Sequence, residues 1–323
     1  MIKPVDVILA RKRIQRYIYR TPLEKSYFLS QITGGEVYLK LECHQQIKAY
    51  KVRGAFNKIL SLTAKERLKG VMTASSGNHG ASVSYASSLL GIDNVTVYVP
   101  EVTPAIKKEK IKRYGAELVV AGRDFDEAYV LAKEARKELD RIWIDTCSDE
   151  AVIAGQGTIG LEMLEDNPAL DDILVPIGGG GMITGISIIV KSINPGIRIL
   201  GVQTEASPAM LASLRDGILY EKYPSRPSVC EALVGGVGEI PYRMARKCID
   251  DILLVKESTI KEAVIQLIDH DKVLAEPSAA VGVACLMEHR ERFRGRKVGV
   301  VISGGNIDLE ALKSFLNEVR AWK

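Results

Sequence analysis

The chain has 323 residues, of which 46% are hydrophobic and 26% are charged, so fibrous and disordered classes are excluded. This length allows two domains that share a sizeable core. The net charge of +4 results from 44 basic and 40 acidic residues that are interspersed along the chain, which leaves no basic stripe of the nucleic-acid-binding kind.

From about residue 35, short β-branched runs alternate with longer amphipathic segments. This alternation is typical of α/β proteins, in which helices cover both faces of mostly parallel sheets. The predicted strands are residues 37–41, 70–74, 95–99, 117–120, 173–176, 197–202, 252–255 and 298–302. The predicted helices are residues 83–90, 104–114, 124–139, 151–164, 183–190, 260–268 and 278–287.

The sequence contains no repeat of fixed period and no Pro/Gly/Ser-rich linker, so two domains would share a long interface. Residues 48–148 have their own set of strands and helices, and we predict that they form a small domain. Residues 1–47 and 149–323 would then form the large domain.

The cysteines and the N-terminus indicate the cellular compartment of the protein. The five cysteines are far apart, with no Cys-x-x-Cys pair, which argues against a zinc clip or a disulfide framework and favours a reducing environment. The N-terminus lacks a charged leader, and no apolar run approaches the ~20 residues of a membrane span. We therefore expect an unprocessed cytoplasmic protein.

A four-glycine loop at residues 178–181 follows the predicted strand and precedes a helix. Backbone N–H groups at a helix N-terminus bind phosphate, and side chains there would block its approach. The lysine and serine or threonine of a nucleotide P-loop are missing. The loop therefore favours a phosphate that belongs to neither ATP nor NAD, with a plain tight turn as the alternative.

Lys51 lies in the segment 48–58, which leads into a helix. The positive end of a helix dipole disfavours a charged amine and so favours the neutral amine that imine chemistry requires. A solvated surface lysine is the alternative.

Two further segments place small polar groups after strands. The serines and N–H groups of residues 75–80 suit a carboxylate, and the Asn78 amide suits a phenolate-like oxygen. The Ser303 hydroxyl can bind a ring nitrogen without forcing it to be charged. An ordinary helix cap and an ordinary turn are the alternatives. Ligands of α/β sheets lie at the carboxyl ends of strands, where these motifs are placed.

Together, the segments at residues 49–55, 75–80, 178–181 and 303–306 resemble the pyridoxal-phosphate enzymes of the tryptophan-synthase β-subunit fold type, and within them the serine/threonine dehydratase and serine racemase group. The resemblance extends over nearly the whole chain, including residues 276–284. It implies the fold-type II architecture, with two open, twisted, mostly parallel sheets, and pyridoxal 5′-phosphate as the cofactor.

The resemblance also implies a role for each segment. Lys51 would hold the cofactor as a Schiff base, Tyr50 would lie beside its ring, and Ser303 would face the pyridine nitrogen. Asn78 would bind the 3-hydroxyl oxygen. The phosphate would be bound by Gly178, Gly179, Gly180, Gly181 and Met182. The substrate carboxylate would be bound by Ser75, Ser76, Asn78 and His79.

A dehydratase reaction is what the resemblance implies, with a β-hydroxy amino acid such as threonine or serine converted to a 2-oxo acid and ammonia. The Lys51 amine would remove the α-proton. Ser76 occupies the position where serine racemases have a second acid/base and several bacterial threonine dehydratases have alanine, which keeps serine racemase activity open as an alternative. In β-replacement enzymes the asparagine loop reads closer to Thr-x-Gly-Asn-Thr, so that reaction is disfavoured.

Two departures from the family pattern concern the substrate. Ala49 and Tyr50 stand where relatives usually have serine and phenylalanine, and Glu231 is expected to place a longer acid beside the cofactor. Because of both departures, another hydroxylated amino acid, such as 3-hydroxyaspartate, remains an alternative substrate.

A third departure concerns metal. The divalent-cation site of eukaryotic-type serine racemases would fall near Glu205, Ala209 and Leu211. Leu211 cannot bind a cation, and one carboxylate offers a hard cation too little charge and too few oxygens. We therefore predict no strong metal site, and a weak site through Glu205 stays open as the alternative. The resemblance further implies a homodimer that acts on a small amino acid, and we expect no appended regulatory domain and no nucleic-acid or membrane partner.

Overall fold

The computed structural model describes residues 1–321, without the side chains of Ile106, Phe125, Asp126 and residues 319–321. The strands are β1 (Leu23–Ser26), β2 (Glu36–Lys40), β3 (Val71–Ala74), β4 (Val95–Val99), β5 (Glu117–Val120), β6 (Ile142–Trp143), β7 (Asp172–Pro176), β8 (Arg198–Thr204), β9 (Asp251–Val255) and β10 (Lys297–Val301). The helices are α1 (Pro4–Ile14), α2 (Tyr27–Thr33), α3 (Lys51–Ser61), α4 (Ala64–Lys69), α5 (Asn78–Leu89), α6 (Ala105–Lys112), α7 (Phe125–Leu139), α8 (Glu150–Asp166), α9 (Gly181–Ile193), α10 (Ala209–Asp216), α11 (Glu239–Cys248), α12 (Glu257–Gln266), α13 (Pro277–Glu288) and α14 (Leu309–Ala321).

These strands form two sheets. The large sheet has the order β1-β2-β10-β7-β8-β9, in which β1 is antiparallel to β2 and the other neighbours are parallel. The small sheet has the order β5-β4-β3-β6 and is parallel throughout. The predicted α/β fold with two mostly parallel sheets is thus confirmed. The small-sheet strands all lie within residues 48–148, and the domain boundaries themselves stay a prediction.

Helix α5 begins at Asn78, whereas the sequence predicted a helix only from residue 83. Serine and glycine have modest helix propensity, which is why the pattern placed the start too late. In the structure the hydroxyl of Ser82 donates to the carbonyl of Asn78, and that of Ser84 to the carbonyl of Gly80. The first turn of α5 therefore belongs to the segment of small polar residues.

Helices α3 and α9, which carry site segments, both pack against α8 through glycines. A Cβ atom at Gly155 of α8 would lie 2.7 Å from the carbonyl oxygen of Arg53 on α3. A Cβ atom at Gly185 of α9 would lie 2.2 Å from the carbonyl oxygen of Ile153 on α8. Because α3 begins at the predicted cofactor lysine and α9 at the glycine loop, α8 sets the distance between these two segments.

A fully buried ionic network anchors α3 to the large sheet. Arg53 Nε lies 2.7 Å from a Glu42 carboxylate oxygen, and Arg53 Nη2 lies 2.7 Å from a Glu162 oxygen on α8. Lys40 at the end of β2 is 2.7 Å from the same oxygen of Glu162. Although burial acts to raise the pKa of Glu162, Arg53 and Lys40 hold it well below its usual range.

All five cysteines are free thiols, so the structure contains no covalent cross-link between them. Within residues 1–321, no helix is both long enough and apolar enough to cross a bilayer.

Candidate active site

The segment that contains Lys51 is hydrogen-bonded to the segment that contains Ser303. Tyr50 N donates to Ser303 O at 3.0 Å, and Gly305 N donates to Lys48 O at 2.9 Å. Lys48 has a φ of 61°, a left-handed conformation that favours glycine. These bonds place Lys51, the first residue of α3, next to the residues that follow β10.

The Lys51 amine contacts a loop that the sequence did not indicate. Its Nζ donates to Thr146 O at 3.2 Å and to Thr146 Oγ1 at 3.0 Å, and lies 5.2 Å from the centre of the Tyr50 ring. Thr146 follows β6 in a short polar stretch that reads as an ordinary loop. No signal in the sequence could have related it to Lys51.

Asp145 shapes this loop. Its carboxylate accepts hydrogen bonds from Cys147 N at 3.1 Å and Ser148 N at 2.8 Å, the pattern of an Asx turn. Burial acts to raise the pKa of Asp145, but these N–H groups, with Trp143 and Tyr129, hold it below its usual value. Asp145 is therefore an ionised structural residue that directs the loop towards the glycines.

The glycine loop is enclosed so closely that side chains would not fit. A Cβ atom at Gly179 would lie 2.6 Å from Cys147 Sγ, and one at Gly178 would lie 3.0 Å from Ala232 O. Gly180 has a φ of 90°, which L side chains rarely adopt. The absence of side chains here is thus a requirement of the packing.

The same loop offers hydrogen-bond donors to an anion. Helix α9 begins at Gly181 and runs for 13 residues, and the first N–H groups of a helix have no acceptor within the helix. Met182, its second residue, is buried in the hydrophobic core. The positive end of the helix dipole and these N–H groups fit a phosphate group.

Asn78 joins the second segment to the fourth. Its Nδ2 donates to Glu276 Oε1 at 2.9 Å, and its Oδ1 accepts from Asn306 Nδ2 at 2.7 Å. Burial raises the pKa of Glu276 to about 7. Glu276 was not among the predicted site residues. The Glu-Pro-Ser sequence that it begins was a signal only through the family resemblance.

His79 is buried, and its ring is directed towards the residue that follows β6. Nε2 lies 3.2 Å from Ile144 O, so the proton must be on Nε2, and Nδ1 has no partner among the described residues. Burial lowers the pKa of His79 to about 4, which keeps the ring neutral. The group of His79 that can face a carboxylate is its backbone N–H at the start of α5.

The two serines before α5 are partly exposed. Ser75 Oγ accepts a hydrogen bond from Gly77 N at 3.3 Å. Among the described residues the Ser76 hydroxyl has no hydrogen-bond partner, which leaves it free to bind a ligand.

Glu231 was predicted to lie beside the cofactor; its side chain is exposed and forms an ion pair with Lys107 on α6. The neighbouring Ala232 and Leu233 instead approach the glycine loop through their backbone. Glu231 therefore links a loop of the large-sheet side to a helix of the small-sheet side.

The residues near the expected cation position include a basic side chain. Arg226 Nη2 donates to Glu205 O at 2.8 Å, and a cavity of about 340 Å³ beside them is lined by Glu257 and Ser258. Within the described part of the chain, no group of three or more His, Cys, Asp or Glu side chains could hold a metal. A guanidinium group already provides positive charge here.

Comparison with known proteins identifies the family. Residues 14–304 match the family described as pyridoxal-phosphate dependent enzyme. The chain belongs to this family. Two features support the fit of the cofactor. The first is the enclosed glycine loop at the start of α9. The second is that the amine of Lys51, the amide of Asn78 and the hydroxyl of Ser303 lie in segments that are hydrogen-bonded to one another.

Three similar proteins narrow the class of this pyridoxal-phosphate enzyme. It is 40% identical over 319 residues to L-threonine ammonia-lyase of Thermotoga maritima, covering 98% of the chain and 79% of the relative. It is 39% identical over 318 residues to the catabolic L-threonine dehydratase TdcB of Escherichia coli K12, covering 98% and 96%. The structure of maize serine racemase has a TM-score of 0.92, 32% identity and 99% coverage of both chains. The predicted fold type, cofactor and ammonia-lyase class are confirmed.

Proposed function

We propose that this enzyme is an L-threonine ammonia-lyase, which converts threonine to a 2-oxo acid and ammonia. The observation that carries the proposal is the direct hydrogen bonding between the segments of Lys51, Asn78 and Ser303, together with the glycine loop at the N-terminus of α9. The 40% identity to a threonine ammonia-lyase supports threonine as the substrate.

Each cofactor-binding group has a proposed partner. Lys51 binds the cofactor covalently through Nζ, and the glycine loop with Met182 and the start of α9 holds its phosphate. The Asn78 amide binds the 3-hydroxyl oxygen, the Ser303 hydroxyl faces the ring nitrogen, and Tyr50 lies beside the ring. When bound, pyridoxal phosphate accepts the negative charge that develops at the substrate Cα.

The N-terminus of α5 is the proposed site of the substrate carboxylate. The backbone N–H groups of Asn78 and His79 have no acceptor within the helix, and the hydroxyls of Ser75 and Ser76 lie before them. A helix N-terminus attracts negative charge. The substrate is therefore oriented by its carboxylate, with its remaining groups towards Lys51.

Lys51 then acts as the base once the substrate has displaced it. Thr146 O can only accept, so N–H groups of the amine point towards it. The lone pair of the neutral amine is directed away from Thr146 and takes the α-proton of threonine. The β-hydroxyl leaves together with one proton as water, which gives an enamine, and hydrolysis of its imine tautomer yields the 2-oxo acid and ammonia.

A substrate panel tests the proposal. Formation of 2-oxo acid would be measured with L-threonine, L-serine and 3-hydroxyaspartate under the same conditions. We expect the highest kcat/KM with L-threonine. A higher value with 3-hydroxyaspartate, or no product from L-threonine, would contradict the proposal.

Serine racemisation is a second candidate, favoured by the unpartnered hydroxyl of Ser76 and by the similarity to maize serine racemase. A serine on the opposite face from Lys51 could return a proton to Cα. We expect D-serine to form from L-serine, and Ser76→Ala to reduce D-serine formation more than 2-oxo acid formation. Chiral chromatography that detects no D-serine would remove this candidate.

The proposal also includes a cytoplasmic homodimer with a small and a large domain divided at residues 48 and 149. Free thiols at all five cysteines support a reducing compartment, and the family resemblance supports the dimer. Light scattering on the purified enzyme should give twice the mass of the chain, and a monomer mass would contradict the dimer.

A further inference from the structure

Two backbone carbonyls fix the orientation of the Asn306 amide. Asn306 Nδ2 lies 3.0 Å from Ile47 O and 3.4 Å from Lys48 O. A carbonyl oxygen can only accept a hydrogen bond, so the nitrogen of this amide must face the backbone. The same nitrogen lies 2.7 Å from the oxygen of Asn78, which therefore accepts from it.

This orientation is passed on to Asn78. Because its oxygen faces Asn306, its nitrogen faces Glu276, at 2.9 Å from Oε1 and 3.3 Å from Oε2. An amide nitrogen has two N–H groups and a single one can reach both oxygens of one carboxylate, so the other is available to a ligand. The Glu276 carboxylate packs directly against Gly304 after β10, where an added Cβ atom would lie 2.4 Å from its Oε1.

Among the described residues, Glu276 has no direct counter-ion, because the nearby lysines bind other groups. Lys110 Nζ donates to Ile47 O at 3.3 Å, and Lys107 is paired with Glu231. Burial raises the pKa of Glu276, while the bond from Asn78 and the positive charges of Lys110 and Lys107 act to lower it. In either protonation state Glu276 retains an oxygen that accepts from Asn78.

We infer that Asn306 and Glu276 are positioning residues, which hold the Asn78 amide so that its second N–H faces the ring oxygen of bound pyridoxal phosphate. The inference rests on the role proposed above for Asn78. If the amide turned over, its carbonyl oxygen would face the ring oxygen, and two acceptors repel each other.

Variants of Asn306 test this inference through the cofactor. An aspartate at this position would offer only acceptors, so Asn78 would turn its N–H groups towards the new carboxylate and Glu276, and none would remain for the ring oxygen. We expect Asn306→Asp to weaken cofactor binding by about tenfold or more and to shift the visible absorption band. Asn306→Ala should have a smaller effect, because Glu276 still orients Asn78.

A role in packing alone predicts the opposite order, because aspartate has nearly the volume of asparagine and alanine leaves a cavity. It also predicts an unchanged spectrum of the bound cofactor. Equal spectra for wild type and Asn306→Asp, or a larger loss of cofactor affinity in Asn306→Ala, would overturn the inference.

Variants of Glu276 provide an independent measurement should Asn306→Asp fail to fold. Glu276→Gln keeps an accepting oxygen, so we expect cofactor affinity within about threefold of wild type, whereas Glu276→Leu should lose about tenfold. Equal affinities of the two variants would contradict the inference. The exposed Glu310→Gln is the control. A wild-type enzyme without any visible cofactor band would instead contradict the proposed function, which separates the two failures.

Discussion

At the scale of single residues, residue chemistry and position in the chain indicated Lys51, Asn78 and Ser303 as candidates, and the family resemblance predicted their roles. The partners of these groups were not predictable in the same way. Thr146 meets Lys51 only because the chain returns after β6, and the contact with Glu276 spans 198 positions in sequence. Side chains act in the site through such long-range contacts, which residue type alone does not encode.

The titration of Glu276 leads to a prediction about stability. Its pKa is raised from 4.5 to about 7 in the folded protein, so between these values the folded state keeps a proton that the unfolded state releases. Stability must then fall as pH rises through this range. We expect the free energy of unfolding of Glu276→Gln, relative to wild type, to increase by about 2 to 3 kcal/mol from pH 5 to pH 8.

Denaturant unfolding of the cofactor-free proteins at the two pH values measures this difference, and Glu310→Gln serves as the matched control at an exposed acid. A difference that does not change with pH, or that shrinks as pH rises, would show that Glu276 is not buried as described.

At the scale of elements, buried β-branched runs made the central strands predictable, and all eight predicted strands are present. Strands β1 and β6 were missed for physical reasons. In β1 the exposed Glu24 and Lys25 interrupt any apolar pattern, and β6 has only two residues. The close packing of α3, α8 and α9 through glycines was also not evident, because glycine in a helix reads as a weak helix former.

This packing predicts that Gly185→Ala damages the site. The added methyl group would lie 2.2 Å from Ile153 O and 2.7 Å from Gly157 N, so α8 and α9 must separate. We expect a loss of about 1–3 kcal/mol in stability, together with weaker cofactor binding. Thermal unfolding and cofactor titration measure the two effects.

Ser192→Ala is the matched control, because Ser192 lies on the exposed side of the same helix. Its stability should stay within about 0.5 kcal/mol of wild type. If Gly185→Ala behaved like this control, α8 would not set the spacing between the lysine and the glycine loop.

At the scale of the whole molecule, the order of the strands in the sheets could not be predicted from the sequence. The last strand, β10, lies between β2 and β7, and such long-range pairing leaves no local pattern. The buried network of Arg53 was equally hidden, since its members are distributed over β2, the turn after it, α3 and α8. The network fixes α3, the helix that begins at Lys51, to β2 and to α8.

Removal of Arg53 should therefore affect the whole fold. Arg53→Met leaves the carboxylates of Glu42 and Glu162 buried with too little positive charge, and we expect a loss of about 3–5 kcal/mol. Chemical denaturation measures it, with the exposed Arg136→Met as a control that should change little. Equal stability of the two variants would mean that the network does not anchor α3.

The proposed roles of Lys51, as the residue that binds pyridoxal phosphate and as the base, are tested most directly by comparing Lys51→Ala with Lys48→Ala, a substitution of an exposed lysine in the same segment. We expect Lys48→Ala to keep the visible cofactor band and its change on borohydride treatment. Lys51→Ala should lose both, and its turnover of L-threonine should fall by on the order of 10³-fold. A visible cofactor band and normal turnover in Lys51→Ala would contradict both proposed roles of Lys51.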